Sequence, residues 1–211
     1  MRDTTVPRIK ICGVTSLADA RLVVESGADA LGLIYASSVR QVVGDVAGDI
    51  VRRHRDDLWC VGVFRRQEDH EIVRIVERDG LAMVQLHDPA SEALLESLER
   101  HGVAVIRALR VGDELNEVER DQVVAVLVDG AQPGSGEPND WDAVAALDFA
   151  VPFLVAGGLT PDTVETVIAL TSPWGVDVAS GVEIAHGVKD AKKVASFVQR
   201  ARAGLAQKGP Q

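Results

Sequence analysis

Short apolar runs recur about every 25 residues along this chain, and each is followed by a more polar stretch with helical spacing. Most of the runs are apolar without interruption, as strands buried on both faces of a sheet must be. This alternation is typical of parallel strands joined by crossover helices. We predict eight strands, at residues 9–14, 30–35, 59–64, 83–87, 104–109, 123–129, 153–157 and 176–179.

Amphipathic stretches lie between the runs, with apolar residues at i, i+3 and i+4. Ser16 and Thr160 are predicted N-caps, and Pro161 is expected in the first turn of the helix after Thr160. Glycines expected just past helix C-termini are Gly27, Gly80 and Gly102. Predicted helices include residues 17–26, 69–78, 92–101, 161–170 and 190–202.

Eight strand–helix units within 211 residues predict an α/β fold, a single closed (β/α)8 TIM barrel with short connections. We place the barrel domain at residues 1–203 and a flexible C-terminal tail at 204–211. The alternative is an open doubly wound sheet. That architecture is disfavoured because no Gly-x-Gly-x-x-Gly motif follows the first strand, where such a fold would hold a dinucleotide.

Composition excludes several classes of partner. The formal net charge is -10, from 22 Lys and Arg against 32 Asp and Glu, so we expect no nucleic-acid or anionic-membrane binding. We find no leader-like segment and no apolar stretch long enough to span a membrane. Cys12 and Cys60 lie in apolar runs rather than at framework spacings, which favours a reduced, cytoplasmic protein, although a disulfide is not ruled out by sequence.

The candidate site lies where the predicted strands end, because barrels assemble their active sites at the C-terminal rim. The strongest signal there is a pair of loops rich in small residues, 156–161 and 178–183. Their backbone N–H groups and the following helix N-termini would favour a phosphate despite the negative net charge. The alternative is that these glycines only form tight turns.

Two further side chains stand at strand ends. Cys12 ends the first strand, and Asp129 ends the sixth, so a thiolate and a carboxylic acid would face each other across the mouth of the barrel. That arrangement suits acid and base catalysis on one small substrate. Alternatively, Cys12 is a small buried apolar residue and Asp129 a cap or ion-pair partner. His87, at an apolar strand end, is more simply a structural histidine.

Taken in order, these motifs resemble phosphoribosylanthranilate isomerase of tryptophan biosynthesis, over nearly the whole chain from Lys10 to Phe197. Each motif alone is weak, but the ordered set is specific. The matching segments are 10–15, 27–32, 84–87, 154–159 with Pro161, and 175–183 with 187–190.

The resemblance implies an Amadori rearrangement, an aldose–ketose isomerisation, on a barrel of the ribulose-phosphate-binding type. Cys12 matches the family's general base and Asp129 its general acid. Because free cysteine titrates near pH 8.5, a nearby positive group or helix end should help Cys12 to ionise. No redox step occurs, so the resemblance implies neither a cofactor nor a metal.

The resemblance also implies how the substrate binds. Arg40 matches the arginine that meets the anthranilate carboxylate, and Asp177 is placed near the sugar hydroxyls. The expected partner is a small anionic sugar phosphate, and the expected assembly is a monomer or a homodimer. The residues matching the phosphate site are Gly157, Gly158, Ser180 and Gly181.

Four departures from the family pattern cluster near the aromatic half of the implied substrate: Val39, Asp88, the segment beginning at Pro133, and Asn139. They motivate one alternative, a paralogue performing the same chemistry on another N-phosphoriboside. A second alternative is a non-catalytic barrel that binds sugar phosphates. The related histidine-pathway isomerase ranks lower, because it generally has a carboxylate where Cys12 stands.

Overall fold

The computed structural model describes residues 6–129 and 140–207. Eight parallel strands close into a barrel, each pairing with the next in sequence and the last pairing with the first. The predicted (β/α)8 barrel is therefore confirmed. The strands, β1 to β8, are Ile9–Cys12, Ala30–Ile34, Trp59–Phe64, Met83–Leu86, Ala104–Arg110, Ala125–Asp129, Phe153–Val155 and Gly175–Val178.

Helices follow the strands around the outside. A 3-10 turn, Ser180–Val182, and an antiparallel hairpin of β9 (Glu183–Ala185) and β10 (Val188–Lys189) come between β8 and the last helix. The helices, α1 to α8, are Leu17–Glu25, Val46–His54, Asp69–Asp79, Glu92–Arg100, Glu117–Gln122, Trp141–Ala145, Val164–Thr171 and Ala191–Ala206.

The helix ends test the predicted caps. The Ser16 hydroxyl accepts a hydrogen bond from the Asp19 N–H at 3.1 Å, so the N-cap of α1 is confirmed. The prediction for α7 was wrong by three residues, because the helix begins at Val164 and not at 161. Thr160 instead donates its N–H to the Thr163 hydroxyl at 3.0 Å, and this turn occupies the predicted first turn of the helix.

The C-terminal end of the chain differs from the predicted tail. Helix α8 continues to Ala206, and Leu205 is buried against the barrel's other helices. The Leu205 carbonyl also accepts a hydrogen bond from Arg8 at 3.3 Å. Residues 204–206 therefore belong to α8, while 208–211 lie outside the described residues.

Apolar side chains form two layers. The larger layer lies between the strands and the surrounding helices, and the smaller one fills the barrel. Because both faces of every strand are covered, most strand residues are apolar, and the exceptions include the buried Lys10, Gln85, Arg107 and Asp177. The inner layer comprises Val6, Ala30, Val61, Met83, Ile106, Ala108, Ala125, Leu127, Leu154 and Ala156. In the described part of the chain, no helix combines the length and the apolar character needed to cross a membrane.

Candidate active site

A pocket with a cavity volume of about 170 Å³ lies at the C-terminal rim of the barrel. It contains most of the residues singled out from the sequence, although they are spread over five strand ends. Those lining it are Cys12, Arg40, Asp129, Gly157, Gly158, Asp177 and Ser180. His87 lines the same pocket, whereas Gly181 does not.

Gly181 is required for a close approach of the two glycine-rich loops. A Cβ atom at this position would lie 1.8 Å from the carbonyl oxygen of Leu159, which belongs to the other loop. Gly157 and Gly158 have φ of 93° and 65°, a region that L side chains rarely adopt. These glycines therefore allow the two loops to approach closely at the rim where the resemblance places the phosphate.

Cys12 lies beside a buried ion pair. Lys10 and Asp177 are partners in the register between β1 and β8, so their side chains share the inner face of the barrel. The Lys10 ammonium donates to Asp177 at 2.9 Å and is completely buried. On the other side, Cys12 faces Gly32 on β2, and a Cβ on Gly32 would lie 2.7 Å from the Cys12 sulfur and 3.2 Å from the Lys10 nitrogen. Gly32 thus leaves the space that both groups occupy.

The environment of Cys12 combines opposing effects. Burial raises the pKa of the Cys12 thiol, the positive charges of Lys10 and Lys189 lower it, and Asp177 raises it again. The net direction is upward. The sequence-based expectation that a positive group lies nearby is met by Lys10, but its charge does not outweigh burial.

A buried network joins three loops around the pocket. Glu183 accepts hydrogen bonds from Arg40, Nε at 2.7 Å and Nη2 at 2.9 Å, and from Lys189 at 3.0 Å. Lys189 also donates to the carbonyl oxygens of Cys12 at 2.6 Å and Ala179 at 3.1 Å. The ends of β1 and β8 and the loop after β2 are therefore tied to one carboxylate.

This network determines the pose of Arg40. Two of its N–H donors are held by Glu183, and its side chain packs over Gly13, where a Cβ would lie 2.7 Å from Arg40 Cδ. Arg40 lines the pocket with part of its guanidinium already bonded to Glu183, and its contact with an anthranilate carboxylate stays a prediction from the resemblance. Val39, the preceding departure from the family pattern, is exposed.

His87 is neutral in this site. Burial, together with the positive charges of Lys10, Arg65 and Arg107, lowers the pKa of His87 to about 4. Its Nε2 lies 3.0 Å from the Gln85 amide nitrogen, which fits an imidazole that accepts from the amide. The Gln85 carbonyl oxygen is buried and has no hydrogen-bond partner among the described residues.

Asp129 ends β6 half-buried at the rim, in register with Arg110 on β5. The loop that follows it, with the departures at Pro133 and Asn139, lies outside the described residues. Asp88, the departure after His87, accepts a hydrogen bond from the Arg66 N–H at 2.5 Å. Over residues 6–129 and 140–207, no group of three or more His, Cys, Asp or Glu side chains is placed to hold a metal ion.

Comparison with known proteins shows which family the chain resembles. The model of the N-(5'-phosphoribosyl)anthranilate (PRA) isomerase family matches residues 9–200. The chain belongs to this family. A PRA isomerase of Geotalea uraniireducens is 39% identical over 203 residues, covering 92% of this chain and 98% of the relative.

Solved structures agree with this assignment. A phosphoribosyl anthranilate isomerase from Thermus thermophilus matches with a TM-score of 0.81 and 35% identity, covering 93% of this chain and 98% of that one. Another PRA isomerase was solved in complex with reduced 1-(o-carboxyphenylamino)-1-deoxyribulose 5-phosphate. It matches with a TM-score of 0.76 and 30% identity, covering 94% of this chain and 100% of the solved chain.

Sequence reasoning assigned no role to three members of this PRA isomerase site. Lys10, Glu183 and Lys189 lie within the quoted motifs, but their types are usually found on surfaces. For Lys10 a signal was present. It lies two residues before Cys12 in an apolar strand, and this spacing places both side chains on one face.

Proposed function

We propose that this protein is an isomerase that converts N-(5'-phosphoribosyl)anthranilate to 1-(2-carboxyphenylamino)-1-deoxyribulose 5-phosphate in tryptophan biosynthesis. The observation that carries the proposal is a pocket lined by Cys12 and Asp129 within a chain that matches PRA isomerases over residues 9–200. The substrate is a small anionic sugar phosphate, and its phosphate lies against Gly157, Gly158 and Ser180.

The reaction needs one acid and one base on opposite sides of the sugar. Asp129 protonates the ribose ring oxygen, and the ring opens to a Schiff base. Cys12, as the thiolate, removes the proton from C2', and the resulting enolamine tautomerises to the aminoketose. All bonds made and broken lie within the substrate, apart from the proton exchanged with each side chain.

The Lys10–Asp177 pair supports both parts of this scheme. Its ammonium lowers the pKa of Cys12 against the effect of burial, which favours the thiolate that the reaction needs. Asp177 lines the pocket and accepts from Lys10 through one carboxylate oxygen, and we expect it to contact the sugar hydroxyls. Arg40, held by Glu183, meets the aglycone from the loop after β2.

The decisive assay follows the loss of anthranilate fluorescence when purified protein is added to freshly generated N-(5'-phosphoribosyl)anthranilate. We expect rapid turnover by the wild type and a loss of about 100- to 10,000-fold in Cys12→Ser and in Asp129→Asn. Cys60→Ser is the matched control, because Cys60 is the other buried cysteine and does not line the pocket. Absence of wild-type turnover in folded protein would contradict the proposal.

Two further expectations accompany it. Cys12 and Cys60 are buried and form no disulfide, which fits a reduced, cytoplasmic setting. We also expect a monomer or a homodimer, which light scattering after size exclusion will distinguish.

A further inference from the structure

Arg65 is a second arginine at the mouth of the pocket. It follows β3, lines the same pocket as Cys12 and Asp129, and is half-buried. Within the described residues its guanidinium forms no hydrogen bond or ion pair, and its backbone N–H is held by Gln67 at 2.7 Å. A guanidinium held in a partly desolvated pocket without a protein partner is suited to an anionic ligand.

Strand order places Arg65 far from the phosphate loops. In a closed barrel of eight strands, β3 lies opposite β7, and β4 lies opposite β8. The glycine-rich loops follow β7 and β8. A substrate anchored there by its phosphate and extending across the mouth would therefore bring its other end toward the ends of β3 and β4, where Arg65 and His87 lie.

The other basic groups at this pocket are paired with a protein carboxylate or are uncharged. Two N–H groups of Arg40 donate hydrogen bonds to Glu183, and Arg40 lies on the side of the pocket near β1, β2 and β8. Lys10 is paired with Asp177 and is itself completely buried. His87 is neutral, because burial lowers its pKa to about 4. On the side of the pocket formed by the ends of β3 and β4, Arg65 is thus the positively charged side chain that has no carboxylate partner among the described residues.

We propose that Arg65 is a specificity-determining residue that binds the carboxylate of the substrate's aglycone from the β3 side of the pocket. The inference rests on the proposed isomerase function and adds a second carboxylate contact to that of Arg40. The carboxylate does not react, so Arg65 stabilises the bound substrate and the transition state alike.

The test compares two substrates in three variants. N-(5'-phosphoribosyl)anthranilate carries the carboxylate, and N-(5'-phosphoribosyl)aniline, formed from ribose 5-phosphate and aniline, lacks it. With the first substrate, we expect Arg65→Met to lose about 10- to 100-fold in kcat/KM, mainly through KM. With the second, the loss should be less than about threefold. Arg65→Lys should recover part of the lost kcat/KM, because lysine keeps the positive charge but lacks the paired N–H donors of the guanidinium.

Arg66→Met is the matched control, because Arg66 is the adjacent arginine, is exposed and does not line this pocket. Its kinetics with both substrates should equal those of the wild type. Equal losses with both substrates in Arg65→Met, or no loss with either, would overturn the role of Arg65 while leaving the isomerase function intact.

A binding measurement separates this inference from the proposed function. Calorimetry with reduced 1-(o-carboxyphenylamino)-1-deoxyribulose 5-phosphate, and with the same compound lacking the carboxyl group, needs no turnover. If the wild type is inactive, the isomerase proposal fails, but a preference for the carboxylated compound that Arg65→Met reduces by about 10-fold or more still supports the contact, with the remainder due to Arg40. A missing preference, or one that the substitution leaves unchanged, overturns it.

Discussion

Replacing Lys10 with Met tests whether its charge sustains the ionisation of Cys12. A Cβ atom built on Gly32 would lie 3.2 Å from the Lys10 nitrogen and 2.7 Å from the Cys12 sulfur. The nitrogen and the sulfur are therefore at most about 6 Å apart. Two unit charges at that separation interact by about 3 kcal/mol at an effective dielectric constant of about 20. That energy corresponds to about 2 pKa units.

The direction of the pKa change at Cys12 follows from the charges around it. Losing the Lys10 cation raises the pKa of Cys12, and the unpaired Asp177 carboxylate acts in the same direction. Because the proposed base, Cys12, works as the thiolate, the acidic limb of the pH profile of kcat/KM should move upward by about 2 units. Activity at pH 7 should fall about 100-fold, and the difference should narrow at high pH.

Two readouts distinguish this effect from a purely structural role. The first is the pH profile itself, with Lys10→Arg as the variant that keeps the charge. The second is the rate of alkylation of Cys12 by iodoacetamide as a function of pH, in a Cys60→Ala background. Reduced activity with an unmoved acidic limb and an unmoved alkylation profile, in protein that still unfolds cooperatively, would refute the reasoning.

Three further predictions concern the frame of the site. Gly181→Ala should abolish phosphate binding in calorimetry, because its Cβ would lie 1.8 Å from the Leu159 carbonyl oxygen, a backbone atom. Glu119→Ala should lower the free energy of unfolding in urea by about 3–5 kcal/mol, since it leaves the buried Arg107 guanidinium without its 2.7 Å partner. Burial lowers the pKa of His87 to about 4, so protonation opposes folding and stability should fall as pH drops from about 6.5 toward 4. Urea titrations at several pH values should show a shallower fall in His87→Asn.

The barrel could be predicted because strands that are buried on both faces give short, mainly apolar runs in the sequence. The run at 59–64 is identical to β3, Trp59–Phe64, since no strand residue there needs to face water. The start of α7 could not be predicted in the same way. Thr160 followed by Pro161 fits a helix start, but Thr163 supplies a competing side-chain acceptor for the Thr160 N–H.

The sequence placed Cys12 and Asp129 in one pocket, but it did not show which residues would surround them. Cys12 and Asp129 each stand at the end of a strand, and strand direction alone places both at one rim. The partnership of Lys10 with Asp177 depends on the register between β1 and β8, strands that are far apart in sequence. The state of Arg40 depends on a contact with Glu183 that no local pattern encodes.

The sharing of Glu183 explains how Arg40 can be both held and available. Arg40 and Lys189 bond to the same carboxylate, so this cluster carries one more positive than negative charge. If Arg40 turns part of its guanidinium to a substrate carboxylate, Glu183 keeps Lys189 and is not left as a buried unpaired charge, which would be costly. Lys189 in turn stays anchored to the Cys12 and Ala179 carbonyl oxygens. A chain with a net charge of -10 can thereby keep a locally positive wall for an anionic substrate without destabilising its own core.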